Sequence, residues 1–208
     1  MWLSNFYSLT FTFVLLVLAS QSPRRRRFLE EAGLEFTCDP ANGAENPWDG
    51  IMSPHDHVKA LALAKATEVT RRHPGDLVLA ADTVVVKDSI IFGKPRDLAD
   101  ANRMLRTLSG GSHQVLTGVA LCRDNGCIRA WVSSSVVHFR ALTDADIDQY
   151  CKLVNVLDKA GAYGIQEHGD LIVEGIDGLW SNVVGLPIEE VLNELRENDV
   201  HPFHWEFS

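Results

Sequence analysis

The stretch "VLLVLASQSPRRRRFLEEAGLEF", residues 14–36, opens as an apolar run and passes into four consecutive arginines. Two readings compete. One is the back end of a secretory signal with a processing site. The other is a buried strand that turns tightly into a helix and delivers arginines to an anion. The segment "TFVLLVLAS", 12–20, is short, apolar and carries β-branched residues, as a buried strand does. Ser22 suits a helix N-cap, Pro23 the first turn and Gly33 the stop. A signal would carry a basic region ahead of its apolar run, yet no Lys or Arg precedes Arg24. In the strand–turn–helix reading the helix start presents backbone N–H groups to the turn, which favours an anion there. Four arginines at helical spacing cannot all face one ligand. Arg24 and Arg25 are expected to point inward, with Arg26 and Arg27 on the surface; the plainer alternative is a solvated basic face.

The remaining 37–208 alternate between helical and extended patterns. Residues 37–54 carry Pro, Gly and Asn without periodicity and read as a loop. Residues 56–75 read as a helix with an apolar stripe through Val58, Leu61 and Val69. Residues 76–97 read as two strands around a turn, and 98–111 as a helix stopped by glycines. Residues 113–142 alternate like paired strands around "DNG". Thr143 opens a helix over 143–154 as a capping residue. Residues 170–187 read as a strand-turn segment, and 188–198 as a closing helix. Sequential hairpins mixed with strand–helix steps make an α/β fold.

The totals bound the function. A chain of 208 residues suits one large domain or two small lobes. Its formal net charge of −9 repels nucleic-acid polymers and anionic lipid, so neither is an expected partner. A local basic pocket for a small anion stays compatible with that charge. No apolar run reaches the length of a membrane helix. The four cysteines form no CxxC pair and read as free thiols of a cytoplasmic protein, with a Cys122–Cys127 bridge across the "RDNG" turn as the alternative.

Three places carry candidate chemistry beside the arginines. Asp82 in "LAADTVV" sits between apolar runs, where a carboxylate is costly unless paired or bound to a cation; a turn-capping role is the alternative. Lys94 lies between Gly93 and Pro95, in a turn that lets a backbone approach phosphate. In "DKAGAYGIQ", Lys159 and Gln166 flank a small-residue loop, and the Gln166 amide suits a base edge. His55 and His57 of "HDH", with His113, His138 and His168, lack zinc spacing and read as non-ligands.

Eight segments taken together resemble the Maf family of nucleoside triphosphate pyrophosphatases. In order they are "LASQSPRRRRFLEEAGLEF", "VKALALAKA", "AADTVV", "GKPRD", "MLRTLSGGSHQVLTGVAL", "LTDADIDQY", "DKAGAYGIQ" and "SNVVGLPIEEV". The "SPRR", "ADT" and "AYGIQ" forms resemble the subgroup acting on dTTP and UTP. The resemblance implies an elongated, twisted mixed sheet with flanking helices and a central cleft, like the inosine-triphosphate pyrophosphatases. It places a Maf-like domain at 14–208 and leaves 1–13 as an extension without a counterpart. It makes Asp82 the proton acceptor, and Arg24, Thr83 and Gln166 the residues that tune substrate choice. Arg25, Lys65 and Lys94 match phosphate-binding positions, Ser20 and Ser22 line the same loop, and Lys159 joins the substrate set. A magnesium or manganese ion would be held by Asp82 and Glu45, and a homodimer is implied.

Two departures stand out. The family's acidic pair falls in "DPANGAENPWDG", where Glu45 alone occupies an acidic position. The Gly-Glu-Pro expected before Asp158 is replaced by "LVNVL". The weakened pair supports a rival reading, a nucleotide-binding protein of cell-division control that has lost catalysis.

Overall fold

The computed structural model describes residues 15–43, 48–124 and 126–201. The extension 1–13 and Glu45 lie outside the described residues. Strand β1 (Leu16–Leu18) leads into helix α1 (Pro23–Glu31), and β2 (Phe36–Cys38) returns parallel to β1. Ser22 caps α1 by accepting from Arg25 N, Pro23 occupies the first turn, and Gly33 leaves the helix at φ +71°. The arginines divide as the spacing predicts. Arg26 and Arg27 are exposed and pair with Glu30 and Glu31, each at 2.7 Å, while Arg24 and Arg25 are half-buried.

Helix α2 (Pro54–Thr70) packs on β3 (Leu77–Lys87), which forms a tight hairpin with β4 (Ile90–Phe92) through Asp88 and Ser89 at positive φ. After α3 (Leu98–Leu108), the long hairpin of β5 (Ser112–Arg123) and β6 (Gly126–Phe139) extends the sheet. Helix α4 (Asp144–Leu153) begins with a capping box between Thr143 and Asp146. Strand β7 (Val173–Asp177) completes the seven-stranded mixed sheet, ordered β2-β1-β3-β5-β6-β7 with β4 also on β3. Segment 170–187 is more than a strand and a turn: α5 (Trp180–Val184) follows β7, burying Ser181, Asn182 and Val184. Helix α6 (Ile188–Glu197) is the last element of the described residues, where the sequence predicts a helix. The four cysteines are free thiols, with Cys122 directly opposite Cys127 across the hairpin.

The α2 stripe differs from its sequence reading. Val58, Ala62, Ala66 and Val69 meet the sheet, and Leu61 turns toward a cavity instead. Small residues win because the helix lies so close to the sheet. A Cβ on Gly118 of β5 would stand 2.3 Å from the Val58 carbonyl oxygen. Gly118 is the direct cross-strand neighbour of Asp82, so this close approach sets α2 beside Asp82.

Strand β3 positions everything else. On one edge β5 pairs with it continuously from Val78 to Val86. On the other edge β1 pairs only with Leu77–Leu79, and β4 only with Val85–Lys87. Residues 80–84 therefore face a gap with no strand opposite. Leu77 N donates to Leu15 O and Leu79 O accepts from Ala19 N, so odd-numbered residues direct their backbone groups to this edge. By the same alternation the Thr83 N–H and C=O point into the gap. Side chains alternate too. Val78 and Ala80, hence Asp82, lie on the α2 face, while Leu79 and Ala81, hence Thr83, lie on the face covered by α1 and α6.

Beside the gap, the segment 158–166 is tied to the core by aromatic residues. Tyr150 Oη accepts from Gly164 N at 3.0 Å and donates to Gly164 O. Tyr163 bonds His113 Nε2 at 2.7 Å, and both rings pack edge-on against Phe139. Burial, with the positive charges of Lys87 and His138, pushes the His113 imidazole down to about 4. Its Nδ1 has no partner among the described residues, so a second imidazolium proton would be unsatisfied.

Two outcomes follow from this packing. Gly118→Ala should cost about 1–3 kcal/mol in urea unfolding, since backbone must move. Gly175→Ala, with 3.8 Å to its nearest neighbour, should be close to neutral. For His113 the sign is set by a neutral native ring and an unfolded ring that protonates near its ordinary 6.5. Stability is full above that value and declines toward pH 4, by on the order of 3 kcal/mol. Subtracting the pH–stability curve of His113→Gln from that of the wild type should isolate this component; parallel curves would show that folding does not lower the affinity of the ring for a proton.

Candidate active site

The gap opens into a cavity of about 720 Å³. Its walls are the 20–25 turn, the gap residues of β3, the 93–94 turn and the 158–167 segment, with α2 and the Gly185 turn at the sides. Asp82 and Thr83 both line it, although they sit on opposite faces of the sheet. That is geometrically allowed only where the strand edge is open. The candidates Ser20, Ser22, Arg24 and Arg25 enter from the first turn, Lys65 from α2, and Lys94, Lys159 and Gln166 from the far wall. The described lining holds five Lys and Arg residues and three carboxylates, in a chain whose net charge is −9. Local charge thus favours an anion against the trend of the whole surface.

These side chains fall into two groups. Some are held by the protein itself. Lys65 Nζ lies 2.6 Å from Asp82 Oδ1 in a mostly buried ion pair. Arg25 donates to Gly185 O (2.8 Å), Ser20 Oγ (3.3 Å) and Thr83 Oγ1 (3.1 Å), tying α1 to β3 and to the turn after α5. Lys159 is buried, and its ammonium meets Asn155 O, Asp158 Oδ1 and Glu167 Oε1 at 2.7, 2.7 and 3.1 Å. Gly164 lies so close that a Cβ there would be 2.6 Å from the Lys159 stem. Ser22 serves as the α1 cap, and Ser20 Oγ accepts from Ser22 N.

Arg24, Lys94 and Gln166 form the second group. They line the cavity and make no hydrogen bond or ion pair with another described residue. Lys94 and Gln166 are exposed and Arg24 is half-buried. The Lys94 turn is nevertheless fixed, because Gly93 O accepts from Gly161 N at 3.0 Å. Gly161 has φ +70°, and a Cβ there would press on Val85 at 3.1 Å.

Residues outside the candidate set complete the walls. Trp48 lines the cavity with its Nε1 bonded to Met52 O at 2.8 Å. Glu68 of α2 anchors the same loop by accepting from Asn42 N and Gly43 N, which with Arg72 lowers its carboxyl. His57 and Tyr163 also face the cavity. Their signals were weak: one tryptophan in an aperiodic loop, and a histidine without a ligand partner.

For a divalent cation the donor set is sparse but usable. No group of three or more His, Cys, Asp or Glu residues among the described ones could hold a metal. Magnesium, however, is commonly bound by one or two carboxylates together with substrate phosphates. Asp82, which also accepts from Lys65 through Oδ1, fits that requirement. No helix of the described residues is long and apolar enough to cross a membrane.

A dTTP/UTP pyrophosphatase of Anaeromyxobacter dehalogenans is 47% identical over 92% of this chain and 97% of its own. Proteins of the same description from Myxococcus xanthus and Bacillus cytotoxicus are 44% and 43% identical, over 93% and 90% of this chain and 97% of each relative. Among solved structures, a nucleoside-triphosphatase / dITP/XTP pyrophosphatase from Mycobacterium abscessus aligns over 89% of this chain and 95% of its own, at 16% identity and a TM-score of 0.43. The family model described as Maf-like protein matches residues 15–198, from β1 through α6, and the chain belongs to that family.

Proposed function

We propose that this chain is a nucleoside triphosphate pyrophosphatase that converts dTTP and UTP, with water, to the monophosphate and pyrophosphate. One observation carries the reading: Arg24, Lys94 and Gln166 stand without a described protein partner around a cavity that also holds Asp82. Two cationic groups and an amide in such positions suit a triphosphate and a base edge. The pyrophosphatase activity for which the relatives are named agrees with that chemistry.

In this reading Asp82 orients and deprotonates a water for attack at the α-phosphorus. The bond from Pα to the bridging oxygen breaks, and pyrophosphate leaves. Lys65 holds the Asp82 carboxylate in place and extends its charge toward the phosphates. Lys94 binds the phosphate tail, and Arg24 and Gln166 address the nucleoside end. Arg25 and Lys159, held by the protein groups described above, shape the walls. Asp82, with Glu45 as the second carboxylate, would hold a magnesium or manganese ion. Such an ion, when bound, neutralises phosphate charge and makes a bound water more acidic. Cytoplasmic nucleotide-pool cleansing and a homodimeric state belong to the same proposal.

Gln166 is exposed in the open cavity. Its discrimination therefore depends on the substrate covering it, since a mispaired amide is costly only when water is excluded.

The direct test is pyrophosphate release from a panel of nucleotides with and without magnesium. UTP and dTTP should lead CTP and purine triphosphates. Nucleotide binding without release would point to the non-catalytic alternative. Asp82→Asn should lower kcat at least about a hundredfold with the fold intact, because the amide cannot accept the proton; near wild-type turnover would remove Asp82 from the mechanism. Lys94→Ala should weaken UTP more than UMP in isothermal titration, while equal losses would place Lys94 away from the tail.

A further inference from the structure

Behind Thr83 runs a buried chain of hydroxyl and carbonyl groups that the reaction scheme does not use. Thr83 and Thr117 are direct cross-strand neighbours, with their Oγ1 atoms 3.0 Å apart. Thr117 Oγ1 lies 3.2 Å from the Asn182 backbone carbonyl. Thr117 and Asn182 are wholly buried. Asn182 is fixed by its amide, which donates to Val115 O and Ser135 Oγ, both at 3.0 Å. Ser135 in turn donates to Leu179 O, so α5 is locked against the hairpin.

Proton placement in this chain is constrained at both ends. A guanidinium only donates, so Thr83 accepts from Arg25 Nη2. A carbonyl only accepts, so the Asn182 end calls for a proton from Thr117. The Thr117 oxygen then needs a proton from Thr83 to fill the 3.0 Å contact. The reverse order would leave two acceptor oxygens 3.2 Å apart with no proton between them, in a site without water access. Gly185 O, the other acceptor near Thr83, is 3.4 Å away and already takes Arg25 Nε at 2.8 Å.

We propose that Thr117 and the Asn182 carbonyl are positioning groups that draw the Thr83 proton inward, so that Thr83 offers the cavity a lone pair only and selects a base carrying an imide N–H. The inference rests on the dTTP/UTP reading above. Uracil and thymine present a proton at N3, whereas cytosine presents a lone pair there. An acceptor-only hydroxyl on the cavity wall attracts the first and repels the second. Thr83 thus discriminates on the side of the gap opposite Asp82.

The experiment measures kcat/KM for UTP and CTP, together with thermal stability, in the full chain. Thr117→Val removes the inward acceptor at nearly constant volume and frees the Thr83 proton. The UTP-to-CTP ratio should fall by about tenfold, the order of one mispaired hydrogen bond. Thr117→Ser keeps the hydroxyl and should keep the ratio within about twofold. Thr83→Val should lower the ratio to a similar extent by itself, and Thr117→Val added to it should change the ratio no further. Should Thr117→Val not fold, Thr117→Ala reads the same ratio. A Thr117→Val protein that loses UTP and CTP turnover equally, or only stability, overturns the inference while leaving the pyrophosphatase reading intact. A wild type without UTP turnover overturns that reading, and this inference with it.

Discussion

A strand with one complete edge and one interrupted edge governs this structure. Strand β3 is paired without a break to β5, which fixes its position. On its other edge β1 stops at Leu79 and β4 starts at Val85. In an unbroken sheet, neighbouring residues on one strand address opposite layers and cannot meet one ligand. At an open edge a ligand can reach both. Asp82 and Thr83 therefore share a cavity, and the turns that end β1 and β4 become its walls. Both turns are cationic, through Arg24 and Arg25 on one side and Lys94 on the other.

Keeping that edge open requires rigid surroundings. Arg25 fastens α1 to Thr83 and to the Gly185 carbonyl. Lys159 and its carboxylates fold the 158–167 wall onto itself, and Tyr150 and Tyr163 pin that wall to the core. Gly118 brings α2 close enough for Lys65 to reach Asp82. Several basic residues of the cavity are thus held by protein groups, whereas Arg24, Lys94 and Gln166 have no partner among the described residues. Preorganised charge of this kind does not reorganise during reaction, which is how such sites stabilise a transition state.

Much of this was legible in the sequence where the signal is local. Ser22, Pro23 and Gly33 bound α1, Thr143 opens α4, and the hairpins follow from alternation and turn residues. The inward and outward division of the arginines follows from helical spacing. Non-local facts were not legible. The α2 stripe is built on Ala62 and Ala66 because Gly118, far along the chain in β5, lets the helix approach, and no window of α2 reveals that. Helix α5 is a single short turn set by buried Asn182, not by periodicity. Resemblance to the family brought the candidate residues together by position, but could not separate Arg25 and Lys159 from Arg24 and Lys94. That separation depends on who bonds to whom across the gap. The Thr83–Thr117–Asn182 chain joins three elements far apart in sequence and has no motif of its own.

The proposed reaction requires the ligand to occupy the open edge. Amide hydrogen exchange at residues 80–84, with and without the α,β-imido analogue of UTP, tests this most directly. Asp82 and Val84 face β5 and should be protected in both states, whereas the Thr83 amide, which points into the gap, should become markedly slower only with the analogue. Protection that appears elsewhere while the Thr83 amide exchanges unchanged would place the nucleotide away from the gap and contradict the account.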